Sequence, residues 1–161
     1  MSREYTFGTS GMVSFANQAV TAMWLSPPSN ATLEILRVWM NQLGTATGSQ
    51  VRIQFVTQVS AFPTLVAAAV RKLKYQDPAS LLSGLVSGLS GVGIAATAEG
   101  AGAKTVIFED AFNTLNGFLW IPIPEERLTL PGTTSAGLGI HLPSAPGTLS
   151  GWTFGCNFRE I

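Results

Sequence analysis

Residues 51–59 alternate without a break. Val51, Ile53, Phe55, Thr57 and Val59 fall on one side of an extended chain, and Arg52, Gln54, Val56 and Gln58 on the other. A period of two marks a half-buried strand. Residues 149–158 repeat the pattern. Trp152, Phe154, Cys156 and Phe158 share one face and are predicted to lie in the core, while Leu149, Gly151, Thr153, Gly155 and Asn157 share the other. Short apolar runs follow one another at 105–108, 117–123, 127–130 and 138–142, with turn-forming Asn113 and Asn116-Gly117 between the first two. Pro122, Pro124, Pro131, Pro143 and Pro146 keep these strands short or at sheet edges. Many short strands with closely spaced turn signals predict an all-β fold, a β-sandwich or jelly-roll-like body with long loops and a flexible Gly/Ala-rich insertion. The 161 residues suit a single domain, 1–161.

Two segments read both ways. Residues 32–41 follow Ser29-Asn30, which suits a helix cap, and precede Gly44, which suits a helix end. As a strand, Leu33, Ile35 and Trp39 share a face that Arg37 interrupts. Its β-branched and aromatic content tips it towards strand. Residues 64–76 carry three alanines and Arg71-Lys72-Leu73-Lys74, which favour a helix stopped by Asp77-Pro78.

Residues 79–103 are nearly all Gly, Ala, Ser, Leu and Val, with Glu99 their one charge. Three readings apply. Twenty uncharged residues, 79–98, with Gly84-x-x-x-Gly88 suit a membrane-inserting helix. Gly91-Val92-Gly93 approaches a dinucleotide loop, which requires a strand before it and a helix after it. The third reading, a low-complexity loop or arm that orders against neighbouring subunits, explains the composition best.

Charge narrows the function. Charged residues make up 11% of the chain, against about 25% in average proteins. Nine Lys/Arg balance nine Asp/Glu. Nucleic-acid binding draws on a basic excess to release counterions, so no nucleic-acid partner is expected. Low net charge favours self-association. One cysteine and one histidine exclude an intrachain disulfide and a two-histidine metal triad. The first residues hold an acid with no apolar run behind it, unlike a signal peptide. Glu109-Asp110 and Glu125-Glu126 are adjacent pairs, and neighbours on a strand point to opposite faces, so neither makes a catalytic dyad. His141 with Ser144 and Asp110 supplies the residue types of a hydrolase triad, without a nucleophile elbow. We expect a non-enzymatic protein without cofactor or metal.

Two stretches carry a resemblance. One is Ala98-Glu99-Gly100-Ala101-Gly102-Ala103-Lys104-Thr105. The other runs from Asp110-Ala111-Phe112-Asn113 through Asn116-Gly117-Phe118-Leu119-Trp120 to Pro124-Glu125-Glu126-Arg127, with a last strand ending Phe158-Arg159-Glu160-Ile161. From about Val20 onward the chain resembles a family of small structural proteins of tailed bacteriophages. Residues 79–94 are longer and more apolar than the family outline. The resemblance implies a capsid decoration, or cement, protein. It would sit on the phage head surface as a homo-oligomer, commonly a trimer, bound to the major capsid protein. It shifts residues 64–76 from helix towards extended loop. It gives Asp110, Phe112, Asn113, Gly117, Leu119, Trp120, Pro124, Glu125, Glu126 and Arg127 structural roles, with Phe118 and Trp120 packing and Glu125 or Glu126 pairing with an arginine. Two docking arms are expected, residues 1–7 and 79–103, with Tyr5, Phe7, Leu81, Leu82, Leu85 and Leu89 at the interface. The alternatives are a tail or head-spike protein that binds host glycan, and a membrane-active protein using 79–98.

Overall fold

The computed structural model describes residues 3–44, 47–82, 84, 91–132 and 136–161. It is an all-β sandwich of two antiparallel six-stranded sheets. The first sheet contains β1 (Arg3–Gly8), β3 (Leu33–Gln42), β6 (Arg71–Lys72), β9 (Phe118–Trp120), β10 (Thr129–Leu130) and β12 (Trp152–Glu160). Its order is β10-β3-β12-β1-β6, and β9 joins β3 beside β10. The second contains β2 (Val20–Ser26), β4 (Gln50–Gln58), β5 (Thr64–Ala67), β7 (Gly91–Ala98), β8 (Thr105–Asn113) and β11 (Gly137–Leu142). Its order is β5-β7-β2-β11-β4-β8. The described residues form no α-helix, only a 3-10 turn at Pro124–Glu126.

The inner faces close one core. Phe55 of β4 meets Trp120 of β9 edge to face at 5.1 Å, and Phe112 of β8 meets Trp152 of β12 at 6.3 Å. Trp152, Phe154, Cys156 and Phe158 are all buried, each large ring contributing roughly 1.5–3 kcal/mol by leaving water. Burial pushes the Cys156 thiol pKa far up, so the group is a small apolar filler.

A bulge resolves the irregular face of residues 32–41. Arg37 pairs with Asn157 and Ile35 with Phe158, so Leu36 is an extra residue. The inward set therefore shifts from Leu33 and Ile35 to Val38 and Met40, and Trp39 faces outward with Arg37.

Several expectations are corrected. Residues 64–76 are neither helix nor plain loop. They form β5 and β6, because β7 and β1 each offer an open edge. Residues 3–7 are no arm: β1 pairs with β12 along its whole length, which buries Tyr5 and Phe7 in the core. Nor is the glycine tract one long arm. Its start is pinned by hydrogen bonds from Tyr5 Oη to the Pro78 carbonyl (3.2 Å) and from Leu81 N to Glu160 Oε1 (2.9 Å). Leu82 is core, whereas Leu81 remains exposed. Residues 91–98 are β7, paired with β2 and β5. Gly91 and Gly93 thus lie within a strand and form no nucleotide loop, and 91–98 is not helical as a lipid-crossing reading requires. Among the described residues no helix is long and apolar enough to cross a membrane. Leu85 and Leu89 lie outside the described residues.

Candidate functional site

The stretch from Asp110 to Arg127 carries the chain from one sheet to the other. β8 ends in the second sheet at Asn113, and β9 begins in the first at Phe118. The turn between them is held by Asn113: its carbonyl accepts from Asn116 N (3.0 Å) and Gly117 N (3.1 Å), and its Oδ1 accepts from Leu115 N (2.9 Å). Gly117 has φ +72°, the left-handed region that favours glycine. Phe112 and Phe118, one at each end of the arch, meet at 5.7 Å. Trp120 is half-buried over Phe108.

This arch brings the edges of both sheets to one side of the molecule. β8 is the last strand of its sheet, so its outer backbone groups are unpaired in the sheet along nine residues. Beside it stand β9 and the segment after it. Val106, Ile107, Leu119, Ile121 and Ile123 are between 43% and 62% exposed, an apolar margin of a kind that marks interaction surfaces. Asp110 pairs across from buried Ile53 yet stays exposed, because no strand lies beyond β8. Pro124, Glu125 and Glu126 are exposed on the 3-10 turn. The expected pairing of Glu125 or Glu126 with an arginine is corrected: among the described residues Arg127 bridges to Glu34 at 3.5 Å instead. The 3-10 turn ends before Arg127, and the Leu128 carbonyl then accepts from Ile35 N, which brings Arg127 beside β3. Glu109 accepts from Gln54 and from Arg52 (2.8 Å), which hold its carboxyl below the usual range.

The opposite side, where β5 and β6 end their sheets, is basic. Arg71 and Lys72 are exposed and have no ion pair among the described residues. Lys74 bridges to Glu4 at 3.4 Å. Val66, Leu73 and Tyr75 project between them, Tyr75 being 98% exposed.

Two further clusters are polar. On the outside of the first sheet an ion-pair ladder runs Lys74–Glu4–Arg159–Glu34–Arg127. The Arg159 hydrogen bond is the main reason that the Glu4 carboxyl titrates below its usual range. Next to the ladder a groove of about 240 Å³ is lined by Thr6, Thr9, Trp39 and Arg71. On the outside of the second sheet Thr21 Oγ1 donates to Glu99 (2.9 Å) and lies 3.3 Å from His141 Nδ1, and Lys104 bridges to Glu99 at 3.1 Å. Burial pushes the His141 pKa down, and Glu99 opposes the shift. Thr21 Oγ1 and Glu99 Oε2 both approach Nδ1 of His141, at 3.3 and 3.8 Å. Neither Ser144 nor Asp110 is among its hydrogen-bond or ion-pair partners. Among the described residues no group of three His, Cys, Asp or Glu side chains is arranged to hold a metal. No protein family, curated protein or solved structure matches this chain.

The sequence did not reveal the two opposed margins. Their exposure depends on which strands end each sheet, and an apolar run reads alike in a central or an edge strand.

Proposed function

We propose that this chain is a non-enzymatic virion structural protein that binds and stabilises a phage capsid shell as an oligomeric decoration protein. The observation that carries the reading is the apolar, partly acidic margin formed by β8, β9 and the Pro124–Glu126 turn, built by the same Asp110–Arg127 stretch that bears the family resemblance. A tightly cross-braced sandwich with apolar margins suits a part that works by contact. If it binds the mature lattice and not the immature one, its binding free energy shifts the shell towards the mature state. Burial of apolar surface supplies affinity without net charge, at about 25 cal/mol per Å².

The test has two parts. Light scattering over a dilution series should give a stable oligomer, with a trimer expected. Co-sedimentation should then show binding to expanded shells and not to unexpanded shells of the phage that carries the protein. A monomer with no affinity for either shell would overturn the proposal.

A glycan-binding tail or head-spike role is the second reading, favoured by the groove beside Trp39. The Arg37 guanidinium lies 5.2 Å from the Trp39 ring centre, so a stacked sugar would have to displace it. Saturable binding of host surface glycan that Trp39→Ala abolishes would favour this reading over the first.

A further inference from the structure

The two margins of the sandwich differ in sign. On the β8–β9 side stand Glu109, Asp110, Glu125 and Glu126, with Arg52 neutralising only Glu109. On the β5–β6 side stand Arg71, Lys72 and Lys74, with Glu4 bridging only to Lys74 on that margin. The chain is neutral as a whole but polarised from edge to edge. Each margin also projects large apolar side chains, Ile107, Leu119 and Ile121 on one and Val66, Leu73 and Tyr75 on the other. A margin that met its own copy would place like charges face to face, which costs several kcal/mol. A margin that met the opposite one would neutralise them and bury apolar surface on both sides.

We infer that copies of this chain associate head to tail, the acidic β8–β9 margin of one seated against the basic β5–β6 margin of the next. The inference rests on the proposal that the chain self-associates, and adds which surfaces meet. Such a contact is heterologous. It closes into a ring if the rotation between successive copies divides the circle, and otherwise runs on as a filament. Charge sets the order of the copies and the apolar side chains supply most of the affinity.

The experiment uses three variants of the full chain, altered only at exposed positions. One reverses the acidic margin (Asp110→Lys, Glu125→Lys, Glu126→Lys). One reverses the basic margin (Arg71→Glu, Lys72→Glu). The third carries all five changes. Circular dichroism and thermal melts check that each is folded. Light scattering should show each single-margin variant dissociating at concentrations about 100-fold above those at which the native chain does. The five-fold variant should regain the native mass, because its margins are again complementary. A 1:1 mixture of the single-margin variants should also associate. If the native chain is an oligomer whose mass none of the variants changes, the head-to-tail contact is wrong while the oligomeric reading stands. If the native chain is a monomer throughout, both fall.

Discussion

Trp24 and Trp39 each lie across a glycine on the outer face of their sheets, and their surroundings are opposite. A Cβ on Gly137 would come within 2.3 Å of the Trp24 ring, and one on Gly155 within 2.2 Å of the Trp39 ring. Trp24 is then roofed over. Phe62 packs on it at 5.4 Å, and the loop carrying Phe62 is laced to residues 99–102 by the Gly102 N to Ala61 carbonyl bond (3.3 Å). As a result β2 and β11 are buried on both faces. Trp39 has no such roof. It is only partly buried, with the Arg37 guanidinium 5.2 Å from its ring centre and Thr6, Thr9 and Arg71 lining the groove beside it. One outer face has become a second, smaller core, and the other remains a surface. The same side chain on the same glycine shelf is structural in the first case and accessible in the second.

The contrast can be broken at its strongest point. Trp24→Ala should destabilise the protein by about 3–5 kcal/mol, the cost of emptying a well-packed aromatic site. Trp39→Ala should cost less, about 2 kcal/mol, since its ring is only partly buried. Urea denaturation followed by circular dichroism measures both, and equal costs would show that the two faces are alike. A finer test adds one methyl group. Gly137→Ala presses on a ring that cannot move and should cost about 3 kcal/mol. Gly155→Ala presses on a less buried ring but also on the Phe7 carbonyl, 2.9 Å from the added Cβ, so it should cost somewhat less, about 2 kcal/mol.

Protonation separates the faces next. His141 lies under the roofed face, and burial lowers its pKa from the ordinary 6.5. Its neutral form is favoured by folding, so this contribution is fully present above about pH 6.5. It is lost as the pH falls, because the unfolded chain then binds a proton that the folded chain resists. The loss should not exceed about 1.4 kcal/mol per pH unit, and His141→Gln should flatten it between pH 6.5 and 5. The open face should respond to salt instead. Arg159→Met removes the centre of the ladder and should cost about 1 kcal/mol or less at low ionic strength, with the difference fading in 0.5 M salt. A salt-insensitive loss would mean that Arg159 contributes mainly through packing.

Much of this fold can be read from alternation. In β4 and β12 every second residue faces inward, as the period of two requires. Val56 and Gln58 are nonetheless buried on the outer side of β4, beneath the roofed face, and nothing local in the sequence announces a roof. β7 is illegible for a related reason. Glycine and alanine argue against a strand in isolation, but Gly93 pairs with Trp24, as Gly139 does from the other side. The small residues make room for a large one on a neighbouring strand. β1 alternates too, with Tyr5 and Phe7 inward, but six residues are too few to distinguish a core strand from a docking arm. The candidate margins were visible only as the block from Asp110 to Arg127 and the basic cluster Arg71-Lys72-Leu73-Lys74, and that they stand at opposite edges emerges only once the strand order is known.

The position of β12 bears on how the molecule is made. It lies between β3 and β1 in the middle of its sheet, and its contacts reach back 125 residues to Glu34 and 150 residues to Thr6. On a ribosome, β1 and β3 emerge long before their shared neighbour and must wait with their apolar faces unpaired. The first sheet closes only when residues 152–160 arrive, so folding is a late, largely all-or-none event of the slow kind that distant strand pairing imposes. A chain interrupted before Trp152 would leave the ribosome with β3 and β1 each lacking the neighbour on one edge, and with a tendency to aggregate.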